Sequence, residues 1–107
     1  MEMRKRLSLK EVPKATVVVT NPEHIAIAIK YDPSMDAPLL TAKGADHLAQ
    51  KIKEIARKHS VPIVENKPLA RNLYKNVDLN QPIPPELYVA IAKIIVHVSQ
   101  IRRSIFK

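Results

Sequence analysis

The stretch ATVVVTNPEHIAIAIKY, residues 15–31, determines the fold because two apolar runs flank an Asn-Pro pair. The first run, Ala15 to Thr20, is β-branched and apolar on both faces, a pattern typical of a central strand covered on two sides. The second run, His24 to Tyr31, alternates large and small side chains, so its Ile and Ala residues lie on opposite faces. Because so few residues separate the two runs, we predict that they pair as antiparallel strands.

The Asn21-Pro22 pair stands where a hairpin turn is expected. A two-residue hairpin turn favours Asn-Gly, since both central residues need positive φ, whereas Pro holds φ at about −65°. Asn-Pro is also a common opening of wider turns. From spacing and composition alone an ordinary turn is favoured, and the alternative is that the Asn-Pro bond itself carries chemistry.

The remaining sequence predicts further strands and helices around this hairpin. Short strands are expected at residues 39–44 and 61–65, with Pro62 marking an edge strand or a strand start. Helices are expected at 45–58, at 67–76 and from Pro84-Pro85 onward, and residues 78–86 are predicted to form a loop. The order β-β-β-α-β-α-α predicts an α/β fold, a small sandwich with a mixed, roughly four-stranded sheet flanked by helices.

The last predicted helix carries an apolar stripe at alternating spacings of four and three residues. Such spacing predicts a continuous seam, packed against the sheet or partly against another chain. The stripe consists of Leu87, Ile91, Ile94, Val98, Ile101 and Ile105.

The composition excludes several classes of protein. Cysteine is absent, which excludes disulfides and thiolate metal sites, and His47, His59 and His97 lack ligand spacing, so no metal and no cofactor is predicted. The net charge of +8 is dispersed, and one Phe, three Tyr and no Trp offer little stacking surface, so no nucleic-acid partner is expected. No apolar run approaches the roughly 18–20 residues that span a bilayer, which predicts a soluble chain.

The Asn-Pro bond permits one specific reaction. Pro22 has no N–H, so the usual attack by the next residue's nitrogen on the Asn side chain is excluded. The Asn21 side-chain nitrogen can instead attack the Asn21 carbonyl, close a succinimide and expel the Pro22 nitrogen. His24 is a candidate proton carrier for this step.

The stretch VPKATVVVTNPEHIAIAIKYD closely resembles the cleavage region of the FlhB/YscU family, the flagellar and type III secretion export-switch proteins. The resemblance continues through DAPLLTAKGAD, VPIVENKPLARNLY and IPPELYVAIAKII, in order, from Val12 to Ile95. The segments AKGAD and PPELYVAIA are more similar to the flagellar branch than to the injectisome branch.

This resemblance implies a single-turnover self-cleavage rather than a turnover enzyme. The scissile bond would be Asn21–Pro22, with His24 in the family motif and both pieces remaining in one fold. Residues 1–14 would be a basic linker segment, the end of a helix from a membrane part absent from this chain, in which Pro13 is expected to stop the helix. Residues 15–107 would be the self-cleaving cytoplasmic switch domain.

The chain departs from the family motif at Glu23, where the family usually has Thr. A carboxylate at this position alters the turn, repels a developing oxyanion or acts as a local base. Cleavage is expected to survive at an altered rate, with Glu23 modulating it.

The resemblance also implies a second site that docks a short apolar motif of early export substrates. The matching positions are Ala37 and Pro38 in the loop after the second strand, with Ala92 and Ile95 on the last helix. Taken without the resemblance, Ala92 and Ile95 are core residues one turn apart.

The implied setting is the cytoplasmic face of the bacterial inner membrane at the flagellar base, where cleavage switches export from rod and hook to filament subunits. The implied partners are rod and hook subunits, the hook-length ruler protein, the other export-gate membrane proteins and the export ATPase complex. Two alternatives remain open: a docking module whose Asn-Pro bond stays intact, and a basic nucleic-acid-binding domain, which the dispersed charge disfavours.

Overall fold

The computed structural model describes residues 2–22 and 24–105, which build a five-stranded mixed sheet with helices on both of its faces. The strand order is β4-β1-β2-β3-β5, and β1 pairs parallel to β4 and antiparallel to β2. The strands are β1 Val17–Asn21, β2 Ile25–Lys30, β3 Leu39–Ala45, β4 Ile63–Glu65 and β5 Gln81–Pro82. The α-helices are α1 Glu2–Ser8, α2 His47–Lys58, α3 Lys67–Asn76 and α4 Tyr88–Ile105, with 3₁₀ helices at Leu9–Lys14 and Pro85–Leu87.

The hairpin of β1 and β2 carries the two hydrophobic cores, as its alternating residues predict. Ala26 and Ala28 are fully buried on one face, where their small side chains let α2 approach the sheet. Ile27 and Ile29 are fully buried on the other face, against α3 and α4. The antiparallel pairing of β1 with β2 is confirmed, with Asn21 opposite Ile25 at its end.

The α/β fold with a mixed sheet flanked by helices is confirmed, and the sheet has one more strand than the sequence predicts. This fifth strand, β5, pairs with the start of β3 inside the segment predicted as a loop. It is only two residues long and contains Pro82, so it has neither the alternation nor the length that identifies a strand in a sequence.

The first fourteen residues pack against the domain. The α-helix ends at Ser8, but a 3₁₀ helix continues through Pro13, where a helix was expected to have stopped. Pro13 removes one backbone donor only, and Ala15 N–H closes the last turn on the Val12 carbonyl (3.0 Å). Val12 itself is fully buried with the α2-facing core. The division into a linker and a switch domain at residue 14 stays a prediction.

The apolar stripe of α4 faces the sheet over part of its predicted length. Ile91, Ile94 and Val98 are buried in the core shared with α3. Ile101 is 46% exposed, because the core that receives this face ends at Val98, and the side chain of Ile105 lies outside the described part of the chain. Within residues 2–22 and 24–105, no helix has both the length and the apolar character needed to cross a bilayer.

Candidate functional site

Asn21 is held rigidly at the end of β1. The residue is 6% exposed, and its backbone is paired with Ile25 across residues 22–24, which we call the cleavage loop. Pro22 has no N–H to continue the ladder, so the strand ends at Asn21. One residue earlier, the Thr20 carbonyl accepts a hydrogen bond from Asn66 N–H at 3.0 Å. Asn21 is thus paired with β2, and its preceding residue Thr20 is paired with β4 and bonded to Asn66.

The carbonyl of Asn21, the group that a cyclisation would attack, is already hydrogen-bonded. It accepts the backbone N–H of His24 at 3.1 Å. A backbone donor in this position polarises the carbonyl and can stabilise negative charge that develops on its oxygen. Among the described residues, no side chain hydrogen-bonds the Asn21 amide.

His24 is exposed and faces Asp46 rather than Asn21. Its Nδ1 lies 3.8 Å from Asp46 Oδ1, an ion pair only when the imidazole is protonated, and its side chain is 68% exposed. Its backbone carbonyl accepts Asp46 N–H at 2.8 Å. The structure places His24 beside the scissile bond in the same turn, with its ring in contact with solvent.

Asp46 was missed by the sequence reasoning. It follows β3 and precedes α2, with φ 49° and ψ −109°, a conformation that non-glycine residues rarely adopt. Its side chain makes no capping hydrogen bond to α2, so the carboxylate is available to His24. In the sequence Asp46 falls within the helix predicted at 45–58, and nothing in that pattern links it to the Asn-Pro segment.

Glu23, the proposed modulator, lies outside the described residues. Its effect on cleavage therefore stays a prediction.

Three of the four residues predicted for the second site lie together in the structure. Pro38, Ala92 and Ile95 line one cavity of about 170 Å³ between the loop after β2 and the exposed side of α4. Ala37 is half-buried in the same loop but does not line this cavity, which we call the apolar groove. The Pro38 carbonyl accepts Ile83 N–H at 2.8 Å, which holds the loop against the segment before α4.

Further groove residues, among them Tyr88, were missed by the sequence reasoning. Tyr88 lies one turn before Ala92 on the same helix face, and this spacing was a usable signal. The additional lining residues are Tyr31, Asp36, Tyr88 and Ile91.

The two sites lie at opposite ends of β2. Ile25 begins the strand next to the cleavage loop, and Tyr31 directly follows Lys30 at the groove. Six residues of extended chain span roughly 20 Å. The Asn21–Pro22 bond and the apolar groove are therefore separated by the length of β2, which is the shortest covalent connection between them.

No group of three metal-ligating side chains converges within the described ranges, 2–22 and 24–105. His24, His47, His59 and His97 are all exposed.

Comparisons of the sequence and of the fold with known proteins lead to the same group of proteins. A family described as the FlhB HrpN YscU SpaS family matches residues 1–98. The flagellar biosynthetic protein FlhB of Bacillus subtilis is 49% identical over 106 residues, which cover 98% of this chain and 29% of that protein. The protein of the same name from Helicobacter pylori is 50% identical over 95 residues, covering 89% of this chain and 26% of that protein.

The fold is similar to a crystal structure of the cytoplasmic domain of FlhB from Shewanella putrefaciens. The TM-score is 0.89 at 44% identity, and the match covers 94% of this chain and 78% of that one. The chain spans less than a third of the length of the curated relatives it matches, 29% and 26%.

Proposed function

The chain belongs to the FlhB HrpN YscU SpaS family, and from that premise we propose that it is the self-cleaving cytoplasmic domain of a flagellar protein-export apparatus. The observation that carries the proposal is the position of Asn21–Pro22. The bond follows a buried strand end. Its carbonyl oxygen, that of Asn21, accepts a hydrogen bond from the backbone N–H of His24. The reaction occurs once per molecule, so the chain is not a turnover enzyme.

The proposed step is a cyclisation of Asn21. Its side-chain nitrogen attacks its own backbone carbonyl carbon and loses a proton, while the carbonyl oxygen gains negative charge. The bond to the Pro22 nitrogen then breaks, and that nitrogen takes up a proton to become a new N-terminus. The first product is a C-terminal succinimide, which water later opens.

The sheet supplies the orientation that this slow reaction needs. Holding two groups in near-attack geometry can lower a barrier by roughly 7–11 kcal/mol in favourable cases. Here β1 is paired on both sides, with β2 and β4, so the Asn21 backbone has little freedom to rotate away. The hydrogen bond from His24 N–H stabilises the oxyanion, an effect for which one donor contributes about 3 kcal/mol in enzymes.

His24 carries protons between the reacting bond and solvent, and Asp46 positions it. Two contacts support this assignment: Asp46 N–H to the His24 carbonyl at 2.8 Å, and the carboxylate facing Nδ1 at 3.8 Å. Glu23 changes the rate. Parallel incubation of the parent chain and Glu23→Thr tests that role, and equal rates would remove it.

Cleavage acts as a switch of export specificity from rod and hook subunits to filament subunits. The proposed setting is the cytoplasmic face of the inner membrane at the flagellar base. The partners are those subunits, the hook-length ruler protein, the other export-gate proteins and the export ATPase complex. The family membership and the relatives named flagellar biosynthetic proteins support this assignment.

The apolar groove docks a short apolar segment of early substrates. Support comes from Pro38, Ala92 and Ile95 converging on one cavity with two tyrosine rings at its sides. Pro38→Asp and Ala92→Asp should each weaken binding of a hook-subunit peptide, measured by calorimetry. The matched controls are Pro33→Asp, an exposed proline in the same loop, and Ser99→Asp, an exposed residue on the same helix. Equal losses of peptide affinity in the groove variants and in the controls would rule out the groove as the docking site.

The full-length protein tests the switch. Asn21→Ala in the full-length protein of a flagellated cell should leave hook-subunit export intact and block filament-subunit export. Unchanged filament export by an uncut protein would favour the second candidate, a docking module that needs no cleavage. The position of the apolar groove favours the docking module, because the residues that line the groove lie at the opposite end of β2 from the scissile bond.

A further inference from the structure

A second pocket, distinct from the apolar groove, collects positive charge. It lies between α1, the end of β3 and the last turns of α3, and encloses about 610 Å³. Five cationic side chains line it together with a single carboxylate, that of Asp78. The cationic residues are Arg4, Lys5, Lys43, Arg71 and Lys75. We call this the basic pocket.

The centre of the basic pocket is the ring of Tyr74. The ammonium groups of Lys5 and Lys43 lie 4.9 and 5.2 Å from the ring centroid, within the range of cation–π attraction. Lys5 Nζ also donates to the Tyr74 hydroxyl at 2.9 Å. Lys5 from α1 and Lys43 from β3 thus bring two positive charges to one aromatic ring on α3.

Lys43 fills the floor of the pocket. Its Nζ donates to the carbonyls of Tyr74 (3.0 Å) and Val77 (2.8 Å), and so covers the negative end of α3. Burial lowers the pKa of Lys43, and the nearby charges of Lys5 and Arg4 lower it further, against an opposing effect of Asp78. The cations in this pocket therefore repel one another.

The single carboxylate does not neutralise the pocket. Asp78 pairs with Arg4 at 3.5 Å, which leaves Arg71 and Lys75 on the exposed face of α3. These two residues are four apart, so they share one helix face, where like charges destabilise the helix unless an anion lies between them. Arginine and lysine together favour phosphate, because the guanidinium binds two oxygens and the ammonium supplies a compact charge.

We propose that the basic pocket binds a phosphate group, with Arg71 and Lys75 as its outer ligands and Lys5 closing over it from α1. The ligand class is a phosphate-bearing anion, which is present both in soluble phosphates and in anionic lipid headgroups. This site is distinct from the apolar groove, and one of its lining residues, Ile25, directly follows the cleavage loop.

Titration calorimetry of the 107-residue chain with inorganic pyrophosphate, at constant ionic strength, tests the proposal. The double variant Arg71→Gln/Lys75→Gln should lose about tenfold or more in affinity, since both changes remove charge-assisted hydrogen bonds. The matched control Lys51→Gln/Lys58→Gln removes the same charge from exposed positions on α2 and should bind as the parent chain does. Lys5→Gln should weaken binding by a smaller factor.

Equal losses in the pocket variant and the control would overturn the proposal, because binding would then reflect net charge alone. So would an absence of pyrophosphate binding, or tighter binding of polyglutamate, which would indicate an acidic peptide. Vesicles distinguish the two sources of phosphate. Pocket-dependent binding to phosphatidylcholine vesicles containing phosphatidylglycerol supports a lipid headgroup, and pocket-dependent pyrophosphate binding without vesicle binding supports a soluble ligand.

Discussion

In the proposed cleavage, Asn21 is both a strand residue and the nucleophile. Its backbone is paired with β2, and the residue before it is paired with β4. The hypothesis of Asn-Pro chemistry can be stated from the sequence because it involves two adjacent residues, and it stays a prediction. The role of Asp46 could not be foreseen, since its contact with His24 is formed only when β3 pairs with β2.

The pair of His24 and Asp46 is tested by a double-mutant cycle on the cleavage rate. Asp46→Asn keeps the backbone N–H and tolerates positive φ, so it removes only the charge facing the imidazole. It should slow cleavage several-fold in the parent chain and have no effect in a His24→Gln background. An equal slowing in both backgrounds would contradict a role through His24, and Asp46→Glu should restore part of the rate.

Gly44 is the only glycine of the chain, and it is required by packing. A Cβ at this position would lie 2.5 Å from Leu48 Cβ, so any side chain would push α2 away from the sheet. Gly44→Ala should lower the free energy of unfolding by about 1–3 kcal/mol, measured by urea denaturation. A decrease in the free energy of unfolding smaller than about 0.5 kcal/mol would show that α2 can move away from the added methyl group without loss of stability.

At the scale of elements, the long or strongly patterned segments were predictable and the short ones were not. The limits of α3 were predicted as they stand, because Pro68 marks its first turn and Asn66 caps it by accepting Leu69 N–H at 3.2 Å. In contrast, β5 depends on pairing with β3 across a long sequence separation. The apolar seam of α4 packs in the core as far as Val98, a limit that the sequence pattern does not show.

The docking of α1 should depend on pH through Asp78. The hydrogen bond from Leu79 N–H, together with the charges of Arg4 and Lys43, lowers the pKa of Asp78 from its usual 3.8. A carboxyl with a lowered pKa stabilises the fold above its unfolded pKa, and this contribution is lost as the pH falls through the folded pKa. Arg4→Gln should raise the Asp78 pKa partway toward its usual value, measured by NMR titration. An unchanged pKa would show that Arg4 does not interact with Asp78 in solution.

At the scale of the whole molecule, β1 holds the two products of the proposed cleavage together, because it belongs to the first product and pairs with two strands of the second. The 21 residues before the scissile bond would contribute an inner strand of the sheet, with Val17, Val18 and Val19 fully buried. The sequence indicated this arrangement, because a run apolar on both faces belongs in the middle of a sheet. It did not indicate that Val12 and the 3₁₀ helix would add to the same interface.

The two products should therefore stay together after cleavage. Burial of the three valines alone contributes on the order of 5 kcal/mol, and β1 keeps its five paired positions with β2. Size-exclusion chromatography in native buffer should give one peak that contains both fragments, and the same sample in denaturant should separate them. Separation in native buffer would contradict this account.

The most direct test of self-cleavage is a mass spectrum of the denatured chain, recorded on fresh protein and after incubation, beside Asn21→Ala. Cyclisation predicts two fragments that end at Asn21 and begin at Pro22, with the first initially lighter by one water molecule than simple hydrolysis would make it. Asn21→Ala should give only the uncut mass. An uncut parent chain at all times, or cleavage of Asn21→Ala at the same bond, would contradict the proposed mechanism.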